Sequence, residues 1–254
     1  MSRWLKNGYL GLVYGFLYIP LLIVICFSFN RSKHSMLWHG FDWRWYDMLW
    51  QDEGLLSSLG HSLILASLAS TLATLMGALA AICLYRYRFK VRQGLHSSLL
   101  VLIVLPDLVL GIALLLMYRI THFPLGFLSL LLAHITFCIP FVSITVLGRL
   151  QGLNKHLLEA GRDLGANEAI LYRRILIPLI WPSLLAAWLL SFTLSLDDVV
   201  ISYFVSGPSF TILPLQIFSM VKLGVSPEVN ALSTFMLLFT LLIVLSSQTL
   251  LRRR

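Results

Sequence analysis

The first apolar segment of the chain, Gly8–Phe29, runs for 22 residues without a single charged side chain. A helix of about 20 apolar residues is long enough to cross the hydrocarbon core of a bilayer. Arg3 and Lys6 precede this segment, as basic residues do in a signal peptide, but no small-x-small cleavage site follows it. We therefore expect Gly8–Phe29 to be a retained transmembrane helix.

Five more segments of similar length and apolarity follow, and the pattern predicts an all-α polytopic membrane protein with six transmembrane helices. The 254 residues are 58% hydrophobic and only 12% charged, which is about half the charged fraction of an average soluble domain. We expect one transmembrane domain over 1–254, with spans at about 8–29, 62–85, 95–118, 125–148, 176–203 and 229–251.

The second predicted span carries small residues about every four positions. Small side chains allow a neighbouring helix to approach closely in lipid. We therefore expect this span to pack at the centre of the bundle through Ala66, Ser70, Ala73, Gly77 and Ala81.

The distribution of basic residues predicts how the chain is oriented. Fourteen of the 19 Lys and Arg residues lie at the termini or in the connections 86–92 and 149–174. Because short cytoplasmic loops carry the excess of Lys and Arg, we expect both termini and the 149–175 loop in the cytoplasm. Membrane topology thus accounts for the net charge of +8, and we expect lipid rather than nucleic acid as a partner.

The cytoplasmic loop contains a stretch, Asn154–Pro178, with signals for two short helices. Asn154 is a suitable N-cap for the first helix, and Gly165 is suited to end it because glycine tolerates the left-handed conformation. Asn167 is a suitable N-cap for the second helix. The apolar stripe of the first helix by itself fits an amphipathic helix on the membrane surface.

The spacing within this stretch resembles the EAA loop of bacterial ABC import permeases. The matching residues are Glu159, Ala160, Gly161, Gly165, Ile175 and Pro178. Two positions depart from the family motif, since Gly161 replaces an Ala and Ile177 replaces a Leu. The resemblance implies a type I ABC importer permease fold in a bacterial inner membrane. It also implies that this loop is a coupling helix, which docks on a cytoplasmic ATPase.

The sequence lacks the motifs of the enzyme classes that a membrane chain of this size most often suggests. It has no Gly-x-x-x-x-Gly-Lys-Ser/Thr phosphate loop, so it is not by itself a P-loop ATPase. It has no His-Glu-x-x-His and no clustered Cys and His, so we expect no metal site. We expect no catalytic residue and no cofactor bound by this chain, while the partner ATPase uses ATP and Mg²⁺.

Three acids lie inside the predicted spans, at Asp107, Asp197 and Asp198. An acid in the membrane interior is costly and usually faces a cavity or a partner. We predict that Asp198 lines a cation pathway and that Asp197, about 100° away on the same helix, caps or braces nearby. Pairing with an Arg or a backbone group, or a protonated aspartate, remains the structural alternative for each acid.

Other polar and aromatic residues accompany these acids. Asp107 follows Pro106 near the middle of the third span, and the fourth span contains His134, which is either a packed polar residue or part of the pathway. Phe192 and Tyr203 fall on turns near the acid pair. Aromatic rings and carboxylates together suit an amine cation with a methylene chain.

Several segments resemble the polyamine subgroup of ABC permeases more closely. They are Leu194-Ser-Leu-Asp-Asp-Val-Val, Phe204-Val-Ser-Gly-Pro, Ile212-Leu-Pro, Tyr18-Ile-Pro-Leu, Ser28-Phe-Asn, Trp45-Tyr46, Tyr85-Arg-Tyr-Arg-Phe and His134-Ile-Thr-Phe-Cys. The resemblance implies transport of spermidine or putrescine from periplasm to cytoplasm. It further implies a second related permease subunit forming a heterodimer, two ATPase subunits and a periplasmic polyamine-binding protein.

Three other functions are compatible with part of the pattern. An ion-coupled secondary transporter would use Asp107 and Asp198 as a relay, but it leaves the EAA spacing unexplained. An ABC permease for another small solute would keep the loop and change the substrate. An aspartate-dyad enzyme needs two carboxylates that face each other, which neighbours on one helix do not.

Overall fold

The computed structural model describes residues 3–32, 37–87, 90–154, 156–208, 210–224 and 227–252. Over these ranges the regular structure is helical, and extended backbone pairs only at an isolated bridge between Asn30 and Phe41. A π-helical turn, Leu171–Leu176, joins α8 directly to α9. The helices are α1 (Arg3–Phe27), α2 (Arg44–Gln51), α3 (Glu53–Arg86), α4 (Arg92–Val104), α5 (Asp107–Ile120), α6 (Phe127–Gln151), α7 (His156–Asp163), α8 (Glu168–Ile170), α9 (Ile177–Asp197), α10 (Val200–Val205), α11 (Leu213–Leu223) and α12 (Pro227–Arg252).

Four helical segments within the described ranges are long and apolar enough to cross a membrane. Each overlaps one predicted span, and α4 with α5 forms a fifth candidate. The described part of α12 adds a shorter apolar helix, so the predicted all-α polytopic architecture is confirmed. The four segments are Lys6–Phe27, Glu53–Arg86, Phe127–Gln151 and Glu168–Asp197.

The third predicted span, 95–118, is not one straight helix. Helices α4 and α5 meet at a bend of 113°. Leu105 adopts an extended conformation with ψ 129°, as expected before a proline, and Pro106 has no N–H with which to continue the helix. Asp107, predicted inside a continuous helix, is instead the exposed first residue of α5.

The chain packs as two compact units, Met1–Ser58 with Gln216–Arg254, and Leu59–Leu215. In the first unit, α12 packs against both α1 and α2. The Trp45 indole N–H of α2 donates to the Asn30 carbonyl at 2.7 Å and is buried. Trp50 of α2 and Trp43 at its N-cap are exposed, as expected of an interfacial helix.

The second unit is built around α6, which packs against α4, α9 and α10. The small residues predicted for the second span are buried, including Ala66, Ala73 and Ala81. A side chain at Gly77 would place its Cβ 2.7 Å from the Cβ of Val142 on α6. Glycine therefore permits α3 and α6 to approach closely, as the small-residue pattern predicted.

Candidate functional site

The first half of the predicted coupling loop forms helix α7. The Asn154 side-chain oxygen accepts from the backbone N–H of His156 at 3.0 Å. At the other end Gly165 has φ +79°, and its N–H and that of Ala166 bond to the carbonyls of Arg162 and Gly161. Both helix boundaries follow the sequence prediction, because a capping side chain and a left-handed glycine act locally.

The second half runs continuously into a membrane-spanning helix. The Asn167 side chain accepts from the Ile170 N–H at 2.9 Å, which confirms the predicted N-cap. The π-helical turn follows, with the Ile177 N–H bonded to the Tyr172 carbonyl five residues back. A proline at position 178 lacks an N–H and crowds the carbonyl four residues earlier, so a wider turn accommodates it.

The loop folds on itself through two residues of the EAA pattern. Gly161 is buried, and a Cβ there would lie 2.6 Å from Cδ2 of Leu171 and 3.0 Å from Cδ1 of Ile175. The glycine at this departure from the motif lets α7 rest directly on the π-helical turn. An alanine would require the ends of both flexible side chains to shift.

The outer face of α7 is open to solvent. The Glu159 side chain is 63% exposed and lies 2.9 Å from Nδ1 of His156, one turn earlier. Ala160 is exposed as well, and Leu164 at the end of the helix is 88% exposed. An exposed acid between exposed apolar side chains is suited to contact another protein.

The acid pair lies at a break in the chain rather than on one helix. Helix α9 ends at Asp197, Asp198 is extended (ψ 122°), and α10 begins at Val200. The carboxylate of Asp198 accepts from the N–H of Ile201 at 3.2 Å and from the N–H and hydroxyl of Ser202 at 2.8 Å each. Asp198 therefore caps α10.

This arrangement corrects one part of the sequence prediction, since the capping residue is Asp198 and not Asp197. Asp198 is 8% exposed and both of its oxygens are engaged, whereas Asp197 is exposed at the end of α9. The cap falls on Asp198 because α9 stops between the two aspartates. The role of either acid in transport stays a prediction.

His134 completes a buried polar cluster with Asp198. Its Nδ1 lies 2.7 Å from the Ser195 hydroxyl, and its Nε2 lies 2.9 Å from the Ser202 hydroxyl. Because Ser202 donates its hydrogen to Asp198, it accepts from Nε2–H, and Nδ1 accepts from Ser195. The imidazole is thus held as the Nε2–H tautomer, with Nε2 3.6 Å from the carboxylate of Asp198.

This cluster fixes the break between α9 and α10 against α6. His134 is 1% exposed, so it belongs to the packed interior and not to an open surface. Sequence reasoning missed the two serines. The available signal was their spacing, since Ser195 and Ser202 flank the acid pair seven residues apart.

The two aromatic candidates have different environments. Phe192 is buried and stacks on Trp188 with ring centroids 5.3 Å apart. Tyr203 is 56% exposed and meets Phe204 edge to face. Tyr203 and Asp197 are therefore exposed, whereas Phe192 packs on a neighbouring ring of its own helix, α9.

A family model described as "Binding-protein-dependent transport system inner membrane component" matches residues 73–254. The chain belongs to this family. The permease is 48% identical over 254 residues to "Spermidine/putrescine transport system permease protein PotC" of Haemophilus influenzae, covering 100% of this chain and 99% of that protein. It is 41% identical over 229 residues to "Putrescine transport system permease protein PotI" of Escherichia coli K12, covering 87% and 82%.

Solved structures share the fold of the permease at low sequence identity. A bacterial ABC transporter involved in the import of the acidic polysaccharide alginate matches with a TM-score of 0.77 and 17% identity, over 98% of this chain and 96% of that one. The MetNI methionine ABC transporter in an inward-facing form matches with a TM-score of 0.69 and 17% identity, over 82% and 97%. The permease therefore has the fold of type I ABC importer permeases.

Proposed function

We propose that the permease is one of the membrane-spanning subunits of an ATP-driven importer that moves polyamines from the periplasm to the cytoplasm by alternating access. The observation that carries this proposal is the 48% identity, over the full chain, to relatives named as spermidine/putrescine permeases.

The exposed end of α9 is suited to meet a polyamine cation. Asp197 contributes a carboxylate, and the C-terminal end of a helix adds a partial negative charge. Tyr203 offers an accessible ring beyond the break. Asp107 is a further exposed acid, at the start of α5. Contacts of this kind hold a cation weakly enough for it to leave, as transport requires.

The exposed face of α7 is suited to receive force from an ATPase. We infer that Glu159 and Ala160 belong to the docking helix, which Gly165 ends. Gly161 and Ile175 hold that helix on the π-helical turn, which leads into α9 at Pro178. The complete transporter would comprise a second related permease subunit, two ATPase subunits that use ATP and Mg²⁺, and a periplasmic polyamine-binding protein. One alginate-transporter neighbour was solved in complex with its periplasmic protein, which supports this composition.

The test is uptake of labelled spermidine, putrescine and an unrelated solute in a host without its own polyamine importers. The chain is expressed with its presumed partners, and a second culture carries an ATPase that cannot hydrolyse ATP. We expect polyamine uptake that is lost without hydrolysis. An assembled, hydrolysing complex that takes up no polyamine removes the substrate assignment. Uptake that persists on an ion gradient without the ATPase indicates a secondary transporter.

A further inference from the structure

The end of α3 is attached to the coupling loop by a contact between residues that are 82 positions apart. The Arg86 guanidinium pairs with the carboxylate of Glu168, the first residue of α8. The central carbon of the Arg86 guanidinium lies 4.9 Å from the ring centroid of Tyr172, one turn further along the loop. The hydroxyls of Tyr87 and Tyr172 are 3.3 Å apart. Two successive turns of the loop are thus held by α3.

Glu168 also contacts the coupling helix itself. Its second oxygen lies 3.4 Å from Nε of Arg162, on the last turn of α7. One carboxylate therefore bridges α7 to the end of α3. Isolated surface ion pairs contribute little, but Arg86 is enclosed, with only 12% of its side chain exposed, and it adds an aromatic contact to the ion pair.

The backbone connects the coupling loop only to α6 and α9. Helix α3 is joined to those two helices by side-chain contacts in the membrane, where Ser143 donates to the Gly77 carbonyl at 3.2 Å and the Trp188 indole donates to Thr71 at 3.0 Å. The Arg86–Glu168 pair gives the loop a third attachment, at the cytoplasmic end of α3. A movement of α7 can thereby reach α3 directly, although α3 is not adjacent to the loop along the chain.

We propose that Arg86 and Glu168 are positioning residues that carry the movement of the coupling helix to α3, so that α3 moves together with α6 and α9. This inference rests on the proposed role of the loop as an ATPase-docking element. It does not depend on which solute is transported.

The first experiment uses the complete complex in lipid nanodiscs and amide hydrogen exchange of residues 80–87. Binding of a non-hydrolysable ATP analogue to the wild-type complex is expected to change exchange both in α7 and at the end of α3. In Arg86→Gln we expect the change in α7 to remain and the change at 80–87 to fall at least about fivefold. An equal response at 80–87 in both proteins overturns the proposal. This measurement needs no substrate, so it stays decisive if the permease carries a solute other than a polyamine.

The second experiment reverses the charges. The single variants Arg86→Glu and Glu168→Arg are expected to reduce stimulation of ATP hydrolysis by the loaded binding protein about tenfold, while the ATPase still co-purifies with each variant. The double variant is expected to recover at least half of the lost stimulation, because it restores opposite charges at positions 86 and 168 but places an arginine beside Arg162. Lys90→Glu, an equal charge change at an exposed position nearby, is the control and should match wild type. Single variants that match wild type, or a double variant no better than the worse single one, contradict the assignment.

Discussion

At the scale of residues, Asp197 and Asp198 have the same side chain but differ in hydrogen bonding and exposure. Asp198 accepts two backbone N–H groups and one hydroxyl, and it is nearly enclosed. Asp197 ends α9 with its side chain exposed. We therefore expect a substrate cation to reach Asp197 more readily than Asp198, where it would have to displace the cap of α10.

The substitution of each acid by its amide tests this difference. Asp197→Asn removes an accessible charge, and we expect KM for polyamine uptake to rise by about tenfold or more, which is the worth of one charge-assisted contact. Asp198→Asn keeps one accepting oxygen at the cap but replaces the other by an amide NH2, which only donates. We therefore expect less inserted protein and an unchanged KM. The measurement is the concentration dependence of uptake at equal amounts of membrane-inserted protein. The reverse pattern would return Asp198 to the pathway.

At the scale of elements, the two faces of α7 have separate tasks. On one face Gly161 packs against the π-helical turn, and we call this contact the seat of α7. The opposite face carries the exposed Glu159. A substitution on the outer face can thus alter docking without altering the fold of the loop.

Glu159→Lys is the corresponding variant. It leaves the seat intact but reverses a charge on the exposed face, so we expect normal insertion and at least about tenfold weaker retention of the ATPase, as for a lost interface charge pair. Retention is measured by co-purification from detergent-solubilised membranes. Glu53→Lys, at an exposed acid outside the loop, serves as the control. Full retention in Glu159→Lys would show that docking does not use this face.

Local chemistry made part of this structure predictable from the sequence. The caps at Asn154 and Asn167 and the stop at Gly165 depend on residues within one turn, so the amino-acid types alone indicate them. The positions of the apolar segments were predictable for the same reason, since length and composition decide them.

The two breaks in the membrane helices depend on more distant residues. Pro106 indicates a break in the helix, but the angle of 113° between α4 and α5 is not given by the local sequence. The break at Asp198 has neither proline nor glycine beside it, and is held by His134 on another helix, 64 residues away. The Arg86–Glu168 pair is likewise a long-range contact. Periodicity describes one helix at a time, so it does not reveal contacts of this kind.

At the scale of the whole molecule, the distribution of basic residues makes a prediction about orientation. Fourteen of 19 Lys and Arg residues fall on the predicted cytoplasmic side. Because this excess is large, we expect a fluorescent protein fused after the C-terminus to fold and fluoresce, which requires the cytoplasm. Alkaline phosphatase fused after His122, in the connection between α5 and α6, should be active, which requires the periplasm. The opposite pair of results would invert the topology and leave the 149–175 loop facing away from any ATPase.

Helix α9 links the coupling loop at one end to the acid pair at the other, so its length determines how far a tilt moves the acid. Its 21 residues make a rod about 31 Å long, and tilting such a rod by about 10° about one end displaces the other by about 5 Å. The seat of α7 lies just before its first residue, and Asp197 is its last. Because the His134 cluster joins the end of α9 and Asp198 to α6, we expect a tilt of the rod to move α6 and the break together with it. We therefore expect a tilt that begins at the coupling loop to displace the carboxylate of Asp197 at the far end of α9.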